Sequence, residues 1–213
     1  MEVTMLENVG NILKDYHKTH GMDLSGSEPP VKTSLLHPYI EERGVVDKIS
    51  IFEADIETKH IVAKVQKFRG ETGAYSGILD QANIYYAKNH NYCWRRFGVC
   101  KEMYHCMIDR NVADRVATLD SLTKLLELLA ADTTALTGDF SPLNREQEAE
   151  LLALETLFPV EFRQDYLETA ADEGTVLALS QKFRIPLVHA RLACRPTYNQ
   201  AVVRLRGRLE DLT

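Results

Sequence analysis

The stretch RRFGVCKEMYHCMID, residues 95–109, decides the fold of this chain. Its apolar residues recur at steps of three and four, which predicts a helix with one buried face. Inside it, the sequence KEMYH puts Lys101 and His105 one turn apart on the same side of that helix. In an HExxH helix, that side holds two imidazoles around one zinc ion, and the glutamate between them activates a zinc-bound water. Here Glu102 and His105 stand at the expected positions, but Lys101 takes the place of the first histidine.

Before this helix, the pattern changes from helical to alternating. Residues 4–20 predict one amphipathic helix, and residues 21–34, which contain Gly, Ser and a Pro-Pro pair, predict a linker. IFEADIE and HIVAKVQKF alternate and contain β-branched and aromatic residues, which predicts two strands between residues 48 and 68. ILDQANIYYAK, from residue 78, predicts a further strand or strand pair.

After residue 109 the pattern is again helical. Ser141-Pro142 marks the start of one helix, because Ser suits the N-cap and Pro the first turn. Residues 174–194 predict two short helices, with a turn at Arg184-Ile185 and Pro186 at the first helical position. We expect an α+β chain with a small antiparallel or mixed sheet and a mainly helical half. The other predicted helices cover residues 113–131, 144–157 and 160–171.

Three segments, in this order, resemble the ImmA/IrrE type of zincin-like metallopeptidase domain. An Arg-Phe pair, Arg96-Phe97, precedes the KEMYH sequence. About forty residues later, EQEAELLALETLFP, residues 146–159, is similar to the family segment in which Glu, Ala and an apolar run end in Pro. VLALSQKFRIPLVHARLAC, residues 176–194, is similar to the family's closing helix, turn and helix. The resemblance covers about residues 48–195 and implies a zincin-like fold.

The resemblance also implies roles for individual residues. His105 would be a zinc ligand, Glu102 the general base, and Glu146 the carboxylate ligand from a second helix. Glu148 is the alternative to Glu146 for that ligand. Members with the full motif are thought to cleave helix-turn-helix repressors of mobile elements or stress regulons. The chain would divide into an N-terminal helix and linker, the zincin-like domain, and a C-terminal tail or strand, at residues 1–30, 31–195 and 196–213.

Lys101 alters the capacity of this arrangement to bind zinc and hydrolyse peptides. Zinc takes neutral imidazole, thiolate or carboxylate ligands, whereas a lysine ammonium has no lone pair until it loses a proton, at a pKa of about 10.4. Zinc held by His105, Glu146 and a thiol is an alternative, but Cys100 and Cys106 flank the ligand face instead of sharing it. A simpler hypothesis is that the ammonium replaces the metal charge between the two carboxylates. We then expect no cofactor and no peptide hydrolysis, with zinc bound only if the site is still functional.

Composition narrows the class of protein. The 213 residues include 45% apolar and 26% charged residues, and the longest apolar runs are too short to cross a bilayer. We recognise no signal peptide, so we expect a cytoplasmic protein without membrane contact. The four cysteines match no zinc pattern, and we expect reduced, partly buried thiols. The net charge of −6 argues against nucleic acid as the partner, since backbone binding depends on clustered Lys and Arg.

The sequence leaves three functions open. The first is a degenerate peptidase domain of a mobile-element or stress-response regulator, which binds a protein segment, for example from a helix-turn-helix repressor, by strand addition to the sheet. The second is an active metallopeptidase that cleaves such a repressor. The third is a DNA-binding regulator that uses residues 174–194, where Arg191 and His189 are among the few residues suited to base edges. The six histidines other than His105 have no ligand spacing, and we expect most of them at the surface or at helix caps.

Overall fold

The chain begins with two helices that lead into a sheet. The computed structural model describes residues 2–26, 28–56, 61–71, 77–108, 114–116, 142–163 and 172–210. Helix α1 is Glu2–His20, in agreement with the predicted helix at residues 4–20. A short 3-10 helix, Thr33–Leu35, overlaps the end of the linker predicted at residues 21–34. Helix α2, His37–Arg43, follows with a proline in its first turn.

The sheet is mixed, which is one of the two arrangements expected for residues 48–88, and it also includes a short strand from residues 114–116. Strand β1 runs parallel to β3, whereas β2 runs antiparallel to both β3 and β4. The strand order is β1-β3-β2-β4, so two strands that follow each other in the chain, β1 and β2, are not neighbours. The predicted strand or strand pair from residue 78 is a single strand. The strands are β1 Lys48–Ala54, β2 Ala63–Glu71, β3 Ile78–Ala87 and β4 Asp114–Val116.

One face of the sheet packs against helix α3, Tyr92–Ile108. Gly98 makes this approach possible, because a Cβ atom at that position would lie 2.9 Å from Val62 Cγ1 and 3.1 Å from Ala63 Cβ. Those distances leave no room for a side chain, so the glycine lets α3 lie directly on the start of β2. The predicted helix at residues 95–109 is therefore confirmed up to Ile108, and residue 109 lies outside the described residues.

Helix α3 also packs against helix α4, Pro142–Leu157, which confirms the predicted helix at residues 144–157. The two helices share a buried hydrogen bond between the Tyr104 and Thr156 hydroxyl groups. This pairing of α3 with α4 beside the sheet is the arrangement that brings the predicted site residues together. The remaining helices are α5 Val160–Arg163, α6 Glu173–Phe183, α7 Leu187–Ala193 and α8 Pro196–Glu210.

Two sequence predictions about helices need correction, and a third, for residues 160–171, is confirmed for Val160–Arg163 and otherwise lies outside the described residues. Residues 114–116, predicted as the start of a helix, pair as strand β4 with Lys64–Gln66; the rest of the predicted 113–131 helix lies outside the described residues. Pro186 is the N-cap of α7 and not its first residue, so the fixed φ of proline acts one residue earlier than expected.

The C-terminal segment, predicted as a tail or strand at residues 196–213, is helical through Glu210. Although the segment is locally basic, it contains two apolar residues one helical turn apart, Tyr198 and Val202, and both are fully buried. One hydrophobic core includes residues of α1, α3, α4 and α8, so the predicted divisions at residues 30/31 and 195/196 do not separate independently packed units. None of the described helices is long and apolar enough to cross a membrane.

Candidate functional site

The residues predicted for the site meet between α3 and α4. Lys101 Nζ donates a hydrogen bond of 2.6 Å to Glu146 Oε2, and His105 Nε2 lies 3.3 Å from Glu146 Oε1. Lys101 and His105 are one turn apart on α3, so both side chains point to the same side, as the sequence predicted. A single carboxylate therefore contacts both the ammonium and the imidazole.

Glu146 is the residue that makes these contacts. Glu148, the alternative, is two residues further along α4 and so points about 200° away around the helix axis. Burial alone would raise the pKa of Glu146, but the interaction with His105 and the charge of Lys101 outweigh burial and lower the pKa to about 2. Glu146 is therefore negatively charged at neutral pH, beside a Lys101 side chain that is only 3% exposed.

Glu102, the predicted general base, is buried next to this pair. Its side chain is 1% exposed, and neither carboxylate oxygen has a hydrogen-bond partner of good geometry among the described residues. Burial raises the pKa of Glu102 to about 7, although the charges of His105 and Lys101 oppose the shift and the Val65 backbone N–H lowers the pKa slightly. A carboxyl group that titrates near neutral pH is suited to accept or hold a proton.

Strand β2 borders the site through a residue that sequence reasoning missed. Lys67 Nζ donates a hydrogen bond of 2.7 Å to the main-chain oxygen of His105. The last carbonyl groups of a helix carry the negative end of its dipole, so a lysine is favourable there. Lys67 lies two residues after the buried Val65, so the period of the strand could have placed Lys67 on the α3 side, but not beside His105.

A second carboxylate-imidazole pair extends the site along α4. Glu150 lies one turn after Glu146, and its Oε1 is 3.2 Å from Nε2 of His189 on α7. The His189 ring packs against Phe97 and Trp94, with ring centroids 3.8 and 5.4 Å apart. Burial lowers the pKa of His189 although Glu150 opposes the shift, so the imidazole is neutral at pH 7.

His189 is an exception to the expectation that most of these histidines lie at the surface or at helix caps. It is 1% exposed, because α7 buries the side that also contains Ala190, Leu192 and Ala193. The spacing of Glu146 and Glu150 could have indicated a common helix face from sequence alone. Their partner on α7 could not have been identified, since its position depends on the packing of distant elements.

The donors present do not fit a zinc ion. Among the described residues, no group of three His, Cys, Asp or Glu side chains is arranged to hold a metal. The Lys101 ammonium is bonded to Glu146 and offers no lone pair. Burial raises the pKa of Cys100 to about 12, and Cys106 Sγ donates to the Glu102 main-chain oxygen, so these two thiols do not complete a ligand set.

Arg96, from the Arg-Phe pair that contributes to the family resemblance, stabilises the fold and does not contact the site. Its Nη1 donates to the main-chain oxygens of Phe183 and Arg184, at 2.7 and 3.3 Å, and its Nη2 donates to that of Val31 at 2.5 Å. Phe183 and Arg184 end helix α6, where the dipole is negative and a cation is favourable. Arg96 therefore holds α6 and the linker residue Val31 against α3.

The helix pair α6–α7 is poorly suited to reading DNA bases. The predicted turn is present at Arg184, which caps α6 in the left-handed conformation with a φ of 49°. Of the two residues considered for base contacts, His189 is buried, and the exposed guanidinium of Arg191 donates hydrogen bonds to both oxygens of Glu173. A carboxylate at that position would repel the phosphates of a nucleic-acid backbone.

No model of a known protein family matches the chain, and no curated protein matches it either. The structural features that bear on function are therefore the contacts between α3 and α4, together with His189 on α7. They combine one lysine, three glutamates and two histidines in a layer that is largely closed to solvent.

Proposed function

We propose that the chain is a pseudo-metallopeptidase of the ImmA/IrrE type, which binds a protein segment instead of hydrolysing it. The observation that carries the proposal is the 2.6 Å hydrogen bond from Lys101 Nζ to Glu146 Oε2. It supports a site in which an ammonium group stands where the resemblance implies a zinc ion. A regulatory role in a mobile element or a stress response is what the resemblance implies.

The charges of the buried layer explain why a cation is needed there. Glu146 is ionised, and Glu150 brings a second carboxylate one turn away on α4. A buried carboxylate without a positive partner destabilises a fold, because its lost hydration is not compensated. Lys101 supplies that positive charge as part of the chain. An ammonium bonded to a carboxylate cannot polarise a peptide carbonyl as a Lewis acid does, so we expect no hydrolysis of the metallopeptidase kind.

The order and packing of the elements support the family part of the proposal. The three long strands of the mixed sheet precede α3, which carries Lys101, Glu102 and His105, and a carboxylate from α4 reaches the same point. This is the order in which the resemblance requires a sheet, a motif helix and a second ligand helix. The zincin-like identity of the fold is part of this proposal.

We place the bound segment along β4, by strand addition. Of the strands that the structure describes, β4 lies at the edge of the sheet next to β2, and β2 borders the site through Lys67. An edge strand offers main-chain groups to an extended peptide, which gives affinity without hydrolysis. A segment of a helix-turn-helix repressor is the partner class that the resemblance implies.

A peptide-display selection on the full chain tests this function. We expect wild type to enrich unstructured peptides, to leave them intact on prolonged incubation, and to bind them equally well with and without a zinc chelator. Mass spectrometry of the recovered peptides detects cleavage. Peptides that are cut in a chelator-sensitive manner would show an active metallopeptidase and contradict the proposal.

The active metallopeptidase remains the second candidate because of Glu102. A pKa of about 7 is the value expected of a general base that works at neutral pH. The ligand set argues against this candidate, since Lys101 offers no lone pair for zinc. The same mass-spectrometric measurement distinguishes the two candidates.

A further inference from the structure

The sheet face turned away from α3, called the outer face, has a distinctive composition. Nine side chains of the three long strands alternate with buried ones such as Ile49, Val65 and Ile84, and together they define this face. Strand pairing arranges them in three rows across the sheet, which are Phe52-Tyr85-Lys64, Ser50-Asn83-Gln66 and Lys48-Gln81-Phe68.

Aromatic rings occupy both ends of the outer face. Phe52 is 45% exposed and Phe68 is 40% exposed, although large apolar side chains are usually buried. The rings of Phe52 and Tyr85 stack, with centroids 5.6 Å apart and an angle of 26° between their planes. Phe68 lies four residues from Lys64, the strand partner of Tyr85, which is about 13 Å along β2. The rings thus form two separate stacking positions along the sheet.

None of the nine positions carries an acidic residue, although the chain has a net charge of −6. The short strand β4 adds one acidic residue to the end of the middle row, because Asp114 pairs with Gln66. Lys64 Nζ lies 5.6 Å from the centroid of the Tyr85 ring, and Lys48 belongs to the row of Phe68, so each aromatic position has a cation in its row. The middle row contains one hydroxyl and two amide groups, which can both donate and accept hydrogen bonds. Protein interfaces are depleted in lysine, which favours a polyanion over a polypeptide as the partner.

We infer that the outer face binds single-stranded nucleic acid, with bases stacked on Phe52 and Phe68 and phosphates near Lys64 and Lys48. Sheet surfaces that bind single strands combine aromatic rings, hydrogen-bonding side chains and nearby cations in this way. Base stacking needs fewer cations than duplex binding does, so an acidic chain can still provide such a surface. The inference does not depend on the buried site, because the side chains of that site and the outer face lie on opposite sides of the sheet.

Fluorescence anisotropy with the full chain tests this inference. The probes are fluorescein-labelled oligo-uridine and oligo-thymidine of about 12 nucleotides, within the usual site size of such surfaces, and a duplex of the same length. We expect wild type to bind the single strands more tightly than the duplex at low salt. Phe52→Ala should weaken binding roughly tenfold, as expected for the loss of one stacked base. Tyr92→Ala removes an aromatic ring that is 52% exposed on α3, outside the outer face, and should leave binding unchanged.

Three outcomes would overturn the inference. Wild type would show no binding at low salt, or it would bind the duplex as tightly as the single strands, or Phe52→Ala and Tyr92→Ala would have the same affinity as wild type. In the first case, binding of an unstructured peptide that Phe52→Ala abolishes would assign the outer face to a polypeptide. Circular dichroism of each variant shows whether it is folded, and both rings are exposed enough to be removed without opening the core.

Discussion

Lys101 is a buried lysine whose ammonium is bonded to the ionised Glu146, so its removal should leave an uncompensated charge in the protein interior. Breaking a buried ion pair on one side typically costs about 3–5 kcal/mol of unfolding free energy. We expect Lys101→Ala, and Lys101→Met, which keeps most of the apolar stem, to lose stability in this range. Urea unfolding at pH 7 measures the loss.

The control for this prediction is Lys32→Ala. Lys32 pairs with Glu28 at 3.8 Å, but its side chain is 49% exposed, so we expect a change below about 1 kcal/mol. If Lys101→Met unfolds at the same urea concentration as wild type, Lys101 does not compensate a buried charge. The proposal of charge replacement would then be wrong.

Glu102 should make the stability depend on pH near neutrality. Its pKa of about 7 in the folded state is above the ordinary value of 4.5, so the neutral carboxyl stabilises the fold fully below about pH 4.5. This contribution is lost as the pH rises through 7, and its full size is about 3 kcal/mol at about 1.4 kcal/mol per pKa unit. We expect Glu102→Gln to remove this loss.

The measurement is the difference in unfolding free energy between wild type and Glu102→Gln at pH 5, 6, 7 and 8. Relative to the variant, wild type should become less stable at each step up to pH 8. A difference that stays constant over this range would mean that the folded and unfolded states bind the Glu102 proton equally well, and that this carboxyl is not suited to the role of a general base.

At the scale of the elements, we expect the hydrogen bonds of Arg96 to stabilise the packing of α6 against α3. Its guanidinium donates to three main-chain oxygens from α6 and the linker, and a lysine cannot reproduce that fork of donors. Since buried hydrogen bonds to a charged group contribute about 1.5–3 kcal/mol each, we expect Arg96→Lys to lose at least about 2 kcal/mol. Hydrogen exchange should show the loss of amide protection first in α6 and α7.

Arg95→Lys is the matched control for Arg96→Lys. Arg95 is the preceding residue on α3, its side chain is 31% exposed, and it lies 3.4 Å from Glu53. A pair that is this accessible contributes below about 1 kcal/mol, so exchange in α6 should not change. Equal effects of the two substitutions would contradict a specific role for Arg96.

At the scale of the whole molecule, local sequence patterns predicted the helices and strands well but their arrangement in space poorly. The periodicity of residues 95–109 and 144–157 was sufficient to predict α3 and α4, and the single turn between Lys101 and His105 placed two side chains of the site. The strand order could not be predicted, because nothing in the sequence of β1 or β2 indicates that β3 lies between them. Helix α8 was missed because Tyr198 and Val202 are spaced among polar and basic residues, and His189 because its partner is on another helix.

Zinc content of the full chain tests the replacement of a metal by Lys101 most directly. The chain and its Lys101→His variant are purified from zinc-supplemented medium without chelator, and the metal is quantified by elemental mass spectrometry. We expect zinc well below one equivalent in wild type and close to one in Lys101→His, where His105 and Glu146 could complete three protein ligands. The melting temperature of the variant, and not that of wild type, should rise with added zinc. Zinc near one equivalent in wild type would contradict the account.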